Sequence, residues 1–273
     1  MKKPLSALFV LALLVCFLVT GCVSHLAVSQ AVRPRIILGI FGGMGPEATA
    51  NMYQLIVQLT PAQKDQEHIP TLIYSLPQVP DRTTAIQSGD PSIVPYLVEG
   101  VTRLQRAGAS FVIIPCNTAH YYHGRMQAAV GIPILHMIRE AARAVVERYP
   151  QCRDIGLLAT SGTIATGLYE KEFALLGRRT IVPDESVETA CVMKAIARIK
   201  AGDTGGETED LLAAAGAHLE AKGAQVLVLG CTEIPLAFNP GRAKVPVVNA
   251  TRVLAEAAIR TFREMSRGGR EGR

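Results

Sequence analysis

The sequence has no tryptophan and little charge: Asp, Glu, Lys and Arg make up only 19% of its 273 residues. So little charge beside a hydrophobic content of 49% excludes an intrinsically disordered chain. Six cysteines are too few for a disulfide scaffold, and a chain of this length buries an ordinary core without one. The positive excess is only +5 and is scattered, which excludes nucleic-acid binding through a basic stripe. A long apolar run, Leu5–Thr20, has 16 residues, short of the roughly 20 that span a bilayer. What remains is a globular chain of one large domain or two of about 100–150 residues.

The apolar run follows Lys2 and Lys3, the order of a secretory signal. It ends in Val19-Thr20-Gly21-Cys22, which resembles a bacterial lipobox. That resemblance implies that residues 1–21 are a lipoprotein signal peptide and that Cys22 is the lipidated first residue. The anchored protein would face the periplasm, and Val23 after Cys22 favours the outer membrane. Residues 22–34 have no helix or strand period and are expected to form a tether. Without Lys2 and Lys3 the chain keeps 26 basic against 23 acidic residues and is nearly neutral. Residues 266–273 are expected to be a flexible, solvated tail.

Between these ends the pattern alternates strand and helix. Arg35–Phe41 is a β-branched apolar run closed by Gly42-Gly43, the mark of a buried strand. Pro46 opens a helix whose apolar positions are Met52, Leu55, Ile56 and Leu59. Further strands are predicted at 71–76, 110–115, 132–135, 155–159, 225–229 and 245–248. Helices are predicted from 93 to about 108, through 171–176, over 187–200 and 207–222, and from 251 onward. Apolar strands alternating with helices imply an α/β fold with parallel sheets covered on both faces.

The chain also repeats itself. Gly108-Ala109 through Cys116 matches Gly223-Ala224 through Cys231, a spacing of 115 residues from cysteine to cysteine. Gly39, Gly45 and Ala48-Thr49 match Gly156, Gly162 and Ala165-Thr166, and Ile132-Pro133-Ile134 matches Val245-Pro246-Val247. Two pseudo-symmetric Rossmann-like lobes follow: 35–134, completed by 245–265, and 135–244. The active site is expected in the cleft between them, where strand-end loops of open α/β sheets gather. Cys116 and Cys231 each come directly after a buried strand and so should face each other there.

Two facing acid/base groups related by a pseudo-dyad suit the inversion of a carbon centre, one taking a proton from one face while the other delivers a proton to the opposite face. A free thiol has a pKa of about 8.5, so one thiol must be activated, and the start of a following helix or turn would lower it. The same amides would hold a carboxylate. Singly, each cysteine reads more readily as a core residue than as a catalyst, and the pair could also form a disulfide; their matched places in the repeat reverse the first preference. Cys152 and Cys191 have no repeat partners and are structural or paired with each other.

Further motifs accompany the cysteines: Gly42-Gly43-Met44-Gly45-Pro46, Pro80-Asp81-Arg82-Thr83, Pro115-Cys116-Asn117-Thr118-Ala119-His120, Leu158-Ala159-Thr160-Ser161-Gly162-Thr163, Tyr169-Glu170-Lys171-Glu172-Phe173 and Gly230-Cys231-Thr232-Glu233. With them the chain, from about Ile36 to Phe262, resembles the aspartate/glutamate racemase family, and aspartate racemases in particular. The resemblance implies an amino-acid isomerase that uses neither pyridoxal phosphate nor a metal, with Cys116 and Cys231 as the catalytic pair. It also implies that Arg82 and Lys171 contact the side-chain carboxylate of a small acidic amino acid. Met44, Asn117, Thr118, Thr160, Thr163 and Thr232 would line the substrate site, and a homodimer is expected.

The residues alone leave rivals. Arg82 reads as a loop residue whose fork suits a carboxylate, and Lys171 as a helix residue that could simply be solvated. Glu233 could tune the adjacent thiol or serve only a helix terminus, and His120 could move protons or be a satisfied polar residue. Gly43-Met44-Gly45-Pro46-Glu47-Ala48 fits a dinucleotide fingerprint, but the acid expected after the second strand is replaced by Leu76-Pro77. A lipid-anchored solute-binding protein, or a sibling decarboxylase or isomerase, would share much of this pattern. Aspartate, glutamate and broader specificity are not separated by these residues.

Overall fold

The computed structural model describes residues 36–271, with side chains to residue 268. The expected signal peptide and tether, with Cys22, lie outside the described residues. β1 (Leu38–Gly42) is flanked in parallel by β2 (Thr71–Ser75) and β3 (Phe111–Ile113). β4 (Asp154–Leu158) is flanked in parallel by β5 (Arg179–Ile181) and β6 (Val226–Leu229), and β6 pairs with β7 (Val247–Asn249). The strand orders are β2-β1-β3 and β5-β4-β6-β7. The strand predicted at 132–135 is reduced to one parallel bridge, Val112 to Ile134, at the place that β7 takes in the second sheet. The two sheets therefore have the same order, as the sequence repeat requires.

The repeat extends to packing. A Cβ on Gly39 would lie 3.0 Å from Ala109 Cβ, with Val112 and Leu104 next. A Cβ on Gly156 would lie 2.8 Å from Leu227 and 2.9 Å from Ala224, with Leu219 next. These are the same three contacts moved along by one repeat. Each glycine lets the helix–strand connection beside it press against the central strand.

One core serves both sheets. Leu38, Ile40 and Phe111 share it with Ile155, Val226 and Val248, joined by Ala141, Ala142 and Val145 of one helix and Leu254, Ala255 and Ala258 of another. The outer faces are covered separately. Phe41, Ile93, Leu97 and Val101 form one outer cluster, and Ile196, Leu212, Leu219 and Leu227 the other.

Several elements depart from the sequence reading. The segment 245–265, expected to complete the first lobe, is divided: β7 joins the second sheet, and the helix after it packs on helices of both halves. That helix runs from Ala250 to Glu271, through most of the expected tail. Its side chains Phe262 and Met265 still pack against the core. Helix Met137–Arg148 and strand β5 were not foreseen. Arg82 opens a helix, Arg82–Ser88, capped by Asp81, whose side chain accepts from the Thr84 amide at 2.9 Å. The helix expected over 187–200 contains a π-helical turn, Glu188–Met193, before Lys194–Lys200. Among the described residues no helix is long and apolar enough to cross a membrane.

Candidate active site

Strand β3 ends two residues before Pro115-Cys116, and β6 ends at Leu229, directly before Gly230-Cys231. Each thiol thus sits at the carboxyl end of a parallel strand. Cys116 and Cys231, both 5% exposed, line one cavity with Met44, Asp81, Arg82, Thr83, Asn117, Thr118, Thr160, Lys200, Thr232 and Glu233. The thiols, like those of Cys152 and Cys191, are free. Only about 20 Å³ is open inside, room for about one water. A wider chamber of about 480 Å³ adjoins it and shares Asp81, Arg82, Lys200 and Glu233.

Three hydroxyls support the cavity from both halves. Thr118 Oγ1 lies 2.9 Å from Thr160 Oγ1 and 2.9 Å from Thr163 Oγ1, and the last two are 3.0 Å apart. Thr163 does not line the cavity but holds the two threonines that do. On the opposite side Thr232 Oγ1 lies 3.3 Å from Pro115 O and 3.2 Å from Glu233 Oε2.

Cys231 departs from the expected lowered thiol. Its Sγ donates to Glu233 Oε2 at 3.0 Å. Burial, followed by the charge of Glu233 and that hydrogen bond, pushes this thiol well above its ordinary range. The short 3₁₀ turns that follow the cysteines, Thr118–Tyr122 and Ile234–Leu236, begin two or three residues beyond them. At Cys231 burial and a neighbouring carboxylate outweigh any contribution from such a turn. Cys231 therefore keeps its proton at neutral pH.

The cavity wall carries side-chain atoms that are buried without a protein partner: Asn117 Nδ2, Arg82 Nε and Glu233 Oε1. The first two are donors and the third is an acceptor. Together they match a ligand with an anionic and a cationic group, because orphaned buried polar groups cost free energy until they are paired. Arg82 is otherwise held by backbone, Nη1 donating to Val79 O at 3.3 Å and Pro80 O at 3.1 Å.

The two predicted cations part company. Arg82 lines the cavity, whereas Lys171 is exposed and its Nζ donates to Thr166 O at 3.3 Å. Lys200, at the end of its helix, lines the cavity instead. Nothing in the periodicity marked Lys200, since a lysine ending an amphipathic helix looks solvated. The Gly-rich turn satisfies itself: Gly43 N donates to Thr49 Oγ1 at 2.8 Å, which donates to Gly45 O at 2.8 Å. At Gly43, with φ +94°, a Cβ would meet the Leu76 backbone at 2.4 Å, so only glycine fits where β1 turns against the end of β2.

His120 braces the loop that carries Cys116 from behind. Its Nε2 accepts from Met137 N at 3.1 Å, which leaves Nδ1 protonated to donate to Cys116 O at 2.8 Å. Burial and the neighbouring His136 hold it neutral, with a pKa of about 3. Among the described residues no cluster of His, Cys, Asp and Glu is placed to hold a metal ion.

Parallel α/β halves with strand-end thiols on one cavity define the class of the protein. The Asp/Glu/hydantoin racemase family matches residues 41–258, and the chain belongs to that family. It is 24% identical over 230 residues to the broad specificity amino-acid racemase RacX of Bacillus subtilis, covering 83% of this chain and 98% of that protein. A glutamate racemase of Corynebacterium diphtheriae is 31% identical over 137 residues, 49% of this chain and 48% of the relative. Among solved structures, Picrophilus torridus aspartate racemase superposes with a TM-score of 0.74 at 28% identity, covering 83% of this chain and 94% of that one. Glutamate racemase RacE1 of Bacillus anthracis shares the fold, with a TM-score of 0.62 at 20% identity over 84% of this chain and 82% of that one.

Proposed function

We propose that this isomerase interconverts L- and D-aspartate without a cofactor, by a two-base thiol mechanism. The observation that carries the reading is the placement of two repeat-related cysteines on one cavity. Cys231, held protonated beside Glu233, donates to the α-carbon in one direction while Cys116 accepts. The roles exchange in reverse. Asn117 Nδ2 receives the α-carboxylate and Glu233 Oε1 the ammonium, since these atoms await such partners. Arg82, joined by Lys200 from the other half, takes the side-chain carboxylate; a bidentate fork suits it. Lys171, to which the family resemblance gives this task, does not line the cavity. The likeness to an aspartate racemase structure supports aspartate over glutamate.

Cys116→Ser and Cys231→Ser test the mechanism. Each is expected to abolish racemisation, and full turnover by either variant would refute the two-base scheme. The adjoining chamber of about 480 Å³ favours a second reading, a broader range of side chains, and the Bacillus subtilis relative supports it. Turnover of longer amino acids at rates near that of aspartate would select it.

Two further proposals concern setting. The lipobox-like Val19–Cys22 supports lipid anchoring at the cell envelope, and incorporation of labelled palmitate that is lost in Cys22→Ala tests it. The homodimer that the resemblance implies is tested by light scattering.

A further inference from the structure

Tyr169 lies outside the cavity and was not among the residues expected to bind substrate. It is 1% exposed, and its hydroxyl donates to Asn117 Oδ1 at 2.7 Å. Among the described residues it has no other acceptor. If the amide were reversed, the phenolic proton would be buried without a partner, a costly arrangement. The hydroxyl therefore decides which way Asn117 faces, and Nδ2 is the amide atom left unpaired. The Tyr169 ring also comes within 3.1 Å of a Cβ placed on Gly230, the residue before Cys231. One side chain from the second half thus bonds the residue after one thiol and lies beside the residue before the other.

We infer that Tyr169 is a positioning residue for racemisation: by fixing the amide of Asn117 it presents Nδ2 as the donor to the substrate's α-carboxylate. Burial raises the phenol above its ordinary range, so it remains a donor through the working pH range. The inference rests on the racemase reading. It adds that the donor's orientation is set from the opposite half of the molecule, by a hydroxyl that lies outside the cavity.

The test is a double-mutant cycle of Tyr169→Phe and Asn117→Ala, read as kcat/KM for both enantiomers alongside melting temperature. Tyr169→Phe keeps the ring and is expected to lower kcat/KM by about 10–100-fold in both directions. In the Asn117→Ala background the same change is expected to do almost nothing. An unaffected Tyr169→Phe enzyme, or an equal loss in both backgrounds, would overturn the inference while leaving the racemase reading intact. A wild-type protein that racemises no acidic amino acid would overturn both. If the phenylalanine variant does not fold, Asn117→Asp carries the test. Its carboxylate keeps an acceptor for Tyr169 but has no donor, so wild-type kcat/KM in that variant would also overturn the inference.

Discussion

Cys231 and Glu233 show how much of the site depends on two adjacent side chains. The thiol donates to the carboxylate at 3.0 Å within a nearly dry cavity, and so it keeps its proton. The cysteine pair was legible in the sequence because the repeat supplied a second copy. The direction of the shift at Cys231 was not, since it depends on which side chains surround the sulfur. Lys200 was equally hidden. We expect Lys200→Ala to raise KM for aspartate by at least about tenfold and Lys171→Ala to leave it within about twofold, because only the first touches the cavity. Steady-state kinetics on both variants decides between them; the reverse order would give Lys171 the role that the family resemblance implies.

His120 makes a separate prediction at the same scale. Its folded pKa of about 3 lies below the ordinary 6.5. The unfolded chain therefore takes up a proton on acidification before the native state does. The stability that the neutral ring supports is complete above about pH 6.5 and is lost as pH falls toward the folded value. His136, lowered to about 4 by burial and the neighbouring His123, adds in the same sense. Denaturant unfolding at about pH 7.5 and about pH 5 should show a loss of about 2–4 kcal/mol, and a flat profile would contradict this.

At the scale of elements, β1 was plain as an apolar β-branched run closed by glycines, and the helices opening at Pro46 and Ile93 were plain because an amphipathic stripe repeats over several turns. β5 was not, since three residues with one exposed end carry no pattern. The π-helical turn before Lys200 was likewise invisible, because its apolar positions keep helical spacing. Gly39 and Gly156 are the sharpest link from sequence repeat to packing. Gly156→Ala would place a methyl group 2.9 Å from Ala224 Cβ, which cannot swing aside. We expect a loss of about 1–3 kcal/mol by denaturant unfolding, with Gly39→Ala costing less; no loss at either site would mean that the glycines are not packing devices.

For the whole molecule, the repeat indicated two lobes, but the chain builds two sheets around a shared core. The reason is the C-terminal helix, whose apolar face is long enough to pack on both halves. No periodicity reveals which sheet a strand such as β7 will join. The closed cavity also has a consequence. Cys116 and Cys231 are each 5% exposed, while Cys191 is partly open. Alkylation followed by peptide mass spectrometry should therefore modify Cys191 well before the other two. Early labelling of Cys116 would mean that the cleft stands open in solution.

The central claim is that two thiols exchange a proton across one carbon. It is tested most directly by incubating reduced protein with L-aspartate in deuterium oxide and following chirality and α-deuterium together. The expected result is D-aspartate that carries deuterium from its first appearance, while the remaining L-aspartate gains deuterium far more slowly. Deuterium entering L-aspartate as fast as D-aspartate forms would indicate a single base, and binding with neither product nor exchange would indicate a solute-binding protein.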